Sequence, residues 1–150
     1  MNIKIQRIDM NDTTNATPSS APSKLALVVD DDAFSQELFT EMLGALGVSD
    51  VRTASSGRIA LRTLASLARP PDYLICDVFM PDMDGIEFLS ELAKKGYQGG
   101  IILVSGLDIT MMAIAQEVAL ADGLKLLGAY SKPVPQSVLE QALLQADAST

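Results

Sequence analysis

Five short strand-type segments, each followed by a stretch with helical periodicity, constrain this chain more than any other feature. They are residues 25–29, 51–54, 73–76, 101–104 and 126–131. Residues 25–29, 73–76 and 101–104 are unbroken apolar runs, the mark of strands covered on both faces. Residues 33–46 carry Phe34, Leu38, Phe39, Met42, Leu43 and Leu46 at three-to-four spacing and stop at Gly47. Residues 58–68 repeat the pattern with Ile59, Leu61, Leu64 and Leu67, ending before Pro70 and Pro71. A third helix is predicted over 85–95, with Asp84 as its cap and Glu87 three residues on. Two more follow, from about 108 to 121 and from 135 to 146. Five βα units in succession imply one parallel sheet with helices on both faces, without an internal repeat or a second domain.

In such a sheet the functional groups gather beyond the carboxyl ends of the strands. Four strand ends here deliver Asp30 and Asp31, then Asp77, then Ser105, then Lys132. Two carboxylates ~4 Å apart repel by about 4 kcal/mol at an effective dielectric near 20. A hard dication relieves that repulsion, and Mg2+ suits a site with few carboxylates and several waters. Asp77 is then placed to attack phosphorus, as carboxylates do when they form aspartyl phosphates. Ser105 and Lys132 would each hold a phosphoryl oxygen. Asp32 reads as the cap of the first helix, and Asp82 and Asp84 as turn and cap residues.

Composition narrows the partners. The chain has 150 residues, 48% hydrophobic and 20% charged, which suits one compact domain. Its net charge is −8 with no lysine-rich patch, so a nucleic-acid partner is not expected and a protein partner is. Cys76 is the sole cysteine, which excludes an intrachain disulfide and reads as a small buried hydrophobe. Histidine is absent, so a phosphohistidine donor must belong to another protein. No apolar segment follows Lys4 and Arg7, and no run reaches the ~20 residues of a membrane span. A cytoplasmic location is expected, away from the membrane. Residues 1–23 are expected to form a disordered tail, with Ile3, Ile5 and Ile8 as either a short extended segment or part of it, and residues 24–147 the domain.

At these motifs the chain resembles the receiver domain of two-component response regulators. The likeness covers roughly residues 24–146. It rests on Val28-Val29-Asp30-Asp31, on Cys76-Asp77 with Met80-Pro81 and Asp84-Gly85, on Val104-Ser105-Gly106, and on Lys132-Pro133. It implies a flavodoxin-like α/β fold, a (βα)5 three-layer sandwich with a parallel five-stranded sheet in the order 2-1-3-4-5. It further implies Asp77 as phosphoacceptor, and Asp30, Asp31, Asp77 and the Phe79 carbonyl as Mg2+ ligands. Ser105 would be the switch hydroxyl, Lys132 the phosphoryl-binding cation, and the Lys132–Pro133 bond cis. The family's aromatic three residues before the lysine is Ala129 here, with Tyr130 beside it, and the stretch from Ser105 to Lys132 is longer than usual.

The expected partners are a sensor histidine kinase or a histidine phosphotransfer protein, and a downstream protein target. Helix four is the expected target surface, because Ile109 to Ala121 carries one charge, Glu117, among Met111, Met112, Ile114, Val118 and Leu120. The motifs do not specify an oligomeric state. No output segment follows helix five before Thr150, so a stand-alone regulator is expected, with a fragment of a larger one as the alternative. A magnesium phosphohydrolase of the haloacid dehalogenase type needs an acid at position 79, which is Phe79. A scaffold that is never phosphorylated would have no use for three crowded acids. Phe79 and Leu107 flank the site without polar groups to orient a water, so a long-lived phosphoryl group is expected.

Overall fold

The computed structural model describes residues 23–80, 83–106 and 109–148. The expected tail therefore lies outside the described residues except for Ser23, as do Pro81, Asp82, Leu107 and Asp108. The described elements run β1 (Leu25–Val29), α1 (Ala33–Ala45), β2 (Asp50–Ala54), α2 (Gly57–Ser66), β3 (Tyr73–Asp77), α3 (Gly85–Lys94), β4 (Gly100–Ser105), α4 (Ile109–Ala121), β5 (Lys125–Ser131) and α5 (Gln136–Ala148). All four strand pairings are parallel, and the order across the sheet is β2-β1-β3-β4-β5. This is the 2-1-3-4-5 order expected of the flavodoxin-like fold.

The strand sequences follow from their places. β1, β3 and β4 lie inside the sheet and every residue in them is buried. Alternation sorts their side chains between two cores. Ala26, Val28, Ile75, Ile102 and Val104 pack under α1 and α5 with Phe39, Leu43 and Leu139. Leu27, Val29, Leu74, Cys76 and Leu103 pack under α2, α3 and α4 with Ala60, Phe88, Leu92 and Ala115. Each fully buried leucine contributes roughly 1.5–3 kcal/mol relative to an exposed one. β2 is an edge strand, so its sequence can afford Arg52 and Thr53, both exposed. β5 forms the other edge. Its register slips between Ile101 paired with Leu126 and Ile102 paired with Gly128, so Leu127 has no partner in the ladder.

Two expectations about helix faces need correction. By spacing Phe34 belongs to the inner stripe of α1, but it is 69% exposed, and Ser35 is buried in its stead. Asp32 caps this helix and draws Ser35 inward: its carboxylate accepts from the Ser35 N–H at 3.2 Å and from Ser35 Oγ at 2.9 Å. On α4, Met111 and Met112 are half-buried against the core, and the exposed apolar groups are Ile109, Ile114 and Leu120. The outward face of α4 is thus apolar as expected, but aliphatic and not methionine-rich.

Candidate functional site at the carboxyl edge of the sheet

β3 and β4 each extend one residue further than their apolar runs suggest, and this fixes two of the site residues. Asp77 is the last residue of β3, paired in register with Val104, and Ser105 is the last residue of β4. Lys132 follows β5 directly and its N–H donates to the Ser105 carbonyl at 2.9 Å. The bond after it, Lys132–Pro133, is cis, as the resemblance implied. Asp30 follows β1, with its N–H donated to the Ala54 carbonyl at 3.0 Å. The functional groups are therefore mounted on paired backbone.

The loop after β3 is held tightly. The Gly85 N–H donates to the Val78 carbonyl at 2.7 Å, and a Cβ on Gly85 would stand 2.7 Å from Val78 Cα. Only glycine permits that approach. Asp84 caps α3 by accepting from the Glu87 N–H at 2.8 Å, as expected. Met83 is buried and wedged against Gly57 at the start of α2.

Among the described residues, Asp30, Asp31 and Asp77 can bring carboxylate oxygens within 4.8 Å of one another. Asp30 and Asp77 are buried and Asp31 is exposed. Lys132 joins the two buried acids, with Nζ at 2.7 Å from Asp30 Oδ2 and 3.0 Å from Asp77 Oδ2. The contact with Asp77 is an aligned hydrogen bond. That with Asp30 is a close ion pair without hydrogen-bond alignment, so Asp30 Oδ2 retains unused acceptor capacity. The other oxygens are occupied. Asp77 Oδ1 accepts from the Phe79 N–H at 2.9 Å, and Asp30 Oδ1 from the Asp32 N–H at 2.9 Å. Gln36 Nε2 donates to the Asp30 carbonyl at 2.6 Å.

The electrostatics follow from burial. Burial pushes the Asp77 carboxyl above its ordinary range, and neighbouring Asp30 adds to this; the Phe79 N–H and Lys132 offset only part of it. For Lys132, burial acts to lower the ammonium pKa, but its close contacts with the Asp30 and Asp77 carboxylates and their negative charges outweigh it and the net shift is upward. Ser105 Oγ is buried and has no hydrogen-bond partner among the described residues. A buried hydroxyl without a partner is costly, and it marks a place where an acceptor is missing.

This donor set fits a hard dication. All the candidate ligand atoms are oxygens, two carboxylates are buried, one is open to water, and Asp30 Oδ2 is not fully satisfied. An acid cluster beside a lysine and an unpartnered hydroxyl also fits a phosphoryl group.

One neighbour of the site, Phe34, escaped the sequence pattern. Phe34 and the Lys132-Pro133-Val134 turn line an apolar cleft of about 250 Å3 with Leu38, Phe39 and Met42. Phe79, whose N–H is bound by Asp77, is 64% exposed.

Comparison with known proteins agrees with this geometry. The family described as the response regulator receiver domain matches residues 26–144. The sensor histidine kinase RcsC of Salmonella typhimurium is 33% identical over 131 residues, covering 87% of this chain and 13% of the kinase. A protein-glutamate methylesterase/protein-glutamine glutaminase of Treponema denticola is 37% identical over 82 residues, covering 54% of this chain and 22% of that protein. In both cases the chain spans only a small part of its relative. The signal receiver domain of an HD domain-containing protein from Pseudomonas fluorescens Pf-5 superposes with a TM-score of 0.72 at 26% identity, covering 85% of this chain and 97% of that one. The chain belongs to the response regulator receiver domain family of two-component signalling. Among the described residues, no helix is long and apolar enough to cross a membrane.

Proposed function

We propose that Asp77 accepts a phosphoryl group from a phosphohistidine on a partner protein, with Asp30, Asp31, Asp77 and the Phe79 carbonyl as ligands for Mg2+. The observation that carries this reading is Lys132 bridging Asp30 and Asp77 at 2.7 and 3.0 Å beside the buried, unpartnered Ser105 Oγ. Mg2+, when bound, would neutralise charge developing on the transferring group.

The chain's own part is positioning. An Asp77 carboxylate oxygen forms the new bond to phosphorus as the phosphorus–nitrogen bond to the donor imidazole breaks, and the imidazole leaves with that electron pair. No general base is needed, because the nucleophile carries no proton when ionised. The Phe79 N–H fixes the orientation of the Asp77 carboxylate. Lys132 then exchanges one carboxylate contact for a phosphoryl oxygen, and Ser105 Oγ gains the acceptor it lacks. Both changes favour a phosphorylated arrangement distinct from the unphosphorylated one, which is how a covalent charge biases a two-state equilibrium.

This is a phosphoacceptor in a cytoplasmic relay and not a turnover enzyme. A sensor histidine kinase or histidine phosphotransfer protein would reach Asp77 over the edge bearing Phe34 and Phe79. A downstream protein would read the outcome through the face of α4 carrying Ile109, Ile114 and Leu120. The chemistry is the same for a free-standing regulator and for a segment of a larger one.

The test is incubation with acetyl phosphate and Mg2+, read by intact mass. Stoichiometric, Mg2+-dependent gain of one phosphoryl group supports the reading, and no gain under any dication opposes it.

A further inference from the structure

Charge is distributed unevenly in this acidic chain. Residues 25–50 hold Asp30, Asp31, Asp32, Glu37, Glu41 and Asp50 with no lysine or arginine. Residues 51–71 hold Arg52, Arg58, Arg62 and Arg69 with no acid. Arg52 is neutralised by Asp50, with Nε at 2.8 Å from Oδ1. The others stand on α2 and the loop that follows it. Arg58 and Arg62 are exposed one turn apart on α2, and Lys94 and Lys95 end α3 nearby in the fold. Arg69 pairs with Asp72 at 3.0 Å, and Lys94 with Glu91 at 3.3 Å. Arg62 on α2 and Lys95 at the end of α3 thus add positive charge to a surface whose Arg69 and Lys94 are already paired with acids, on a molecule of net charge −8.

A cleft of about 370 Å3 opens between the C-terminal ends of these two helices. Leu64, Leu67, Pro70, Leu92 and Tyr97 supply its apolar lining, and Arg69 and Lys95 also line it. Its floor is fixed, because Tyr97 Oη donates to the Pro71 carbonyl at 3.0 Å and its ring lies against Gly99. The cleft lies at the end of the sheet opposite Asp77, since α2 and α3 start beside the site and end here.

We propose that this cleft is a docking site for an acidic segment of a partner protein that inserts one large apolar side chain. The cavity has the volume of a side-chain pocket, and the cations beside it select the sign of the flanking charge. A nucleic acid is disfavoured by the strongly acidic remainder of the chain. The site is separate from the phosphoacceptor, and its occupancy does not require phosphorylation.

The probe is a fluorescent synthetic peptide of Asp and Glu residues around a single Phe, titrated with the full chain and read by anisotropy. Saturable binding is expected that weakens as salt is raised. Arg62→Glu with Lys95→Glu should weaken it by at least about tenfold, each reversal turning an attraction into a repulsion. Replacing the peptide's Phe by Ala should weaken it as well, and a Lys-flanked Phe peptide should not bind. Phosphorylation by acetyl phosphate should be the same in the double variant and the parent, which shows that the variant is folded. No saturable binding, or binding indifferent to the two reversals, overturns the proposal. So does concentration-dependent self-association abolished by the same reversals, which would make a second copy the occupant. Tighter binding of a single-stranded RNA homopolymer than of the acidic peptide would overturn it too.

Discussion

Lys132→Met tests whether the ammonium holds two buried acids together. Nζ lies 2.7 Å from Asp30 Oδ2 and 3.0 Å from Asp77 Oδ2. At an effective dielectric near 20 each contact is worth roughly 5–6 kcal/mol before the cost of burying the charges. Methionine keeps much of the side-chain length and removes the charge. Two carboxylates with oxygens within 4.8 Å then repel by roughly 3–4 kcal/mol. Removing one partner of a buried pair costs about 3–5 kcal/mol. The lysine side chain is 21% exposed, so water relieves part of this. A net loss of about 2–4 kcal/mol corresponds to a fall in Tm of roughly 6–14 °C for a domain of this size. The assay is thermal unfolding in EDTA and in MgCl2. Mg2+ should raise the Tm of the variant more than that of the parent, because in the parent the ammonium competes for the same two oxygens. A variant that melts within about 2 °C of the parent in EDTA, less than 1 kcal/mol would produce, refutes the bridging role. An equal Mg2+ effect in both proteins refutes the competition.

Other outcomes follow from the same geometry. Asp77→Asn keeps the oxygen that accepts from the Phe79 N–H and removes a charge whose folded pKa lies above the unfolded 3.8. The stability such a raised carboxyl contributes is full below pH 3.8 and is lost as pH rises through the folded value, so at pH 7 ionised Asp77 is a cost. The asparagine protein should therefore melt higher than the parent at pH 7 in EDTA, and the gap should close as pH falls toward 4. A gap of the opposite sign contradicts the burial argument. Asp30→Ala is a poorer probe of crowding, because it also removes the acceptor of the Asp32 N–H. Phe79→Asn should shorten the lifetime of the phosphorylated protein in Mg2+ buffer by giving water a hydrogen-bonding group near Asp77. Equal or slower decay would show that the exposed ring shields nothing.

The sequence pattern made the centre of the fold legible and blurred its edges. β1, β3 and β4 are buried on both faces, and only unbroken apolar runs satisfy such positions. The acids, hydroxyl and lysine were legible because each interrupts or follows one of these runs, where a polar group is costly without a purpose. β5 was found, but not the slip that leaves Leu127 unpaired, since one extra residue changes no composition signal. Phe34 shows the limit of periodicity. Three-to-four spacing admits it to the inner stripe of α1, yet the Asp32 cap turns Ser35 inward and leaves the aromatic in solvent. The methionines of α4 were misplaced for a related reason. A helix apolar on nearly every side gives the pattern no face to choose, and packing of Ala115 and Ala119 against the sheet decides it. The Lys132 bridge was not legible either, because it depends on the distance between the ends of three strands.

The most direct measurement is the mass of the intact protein after incubation with acetyl phosphate and Mg2+, for the parent and for Asp77→Asn. One phosphoryl group on the parent, absent in EDTA and absent from the asparagine variant, is the predicted result. A variant that gains the same stoichiometric phosphoryl mass would place the nucleophile elsewhere and contradict the account.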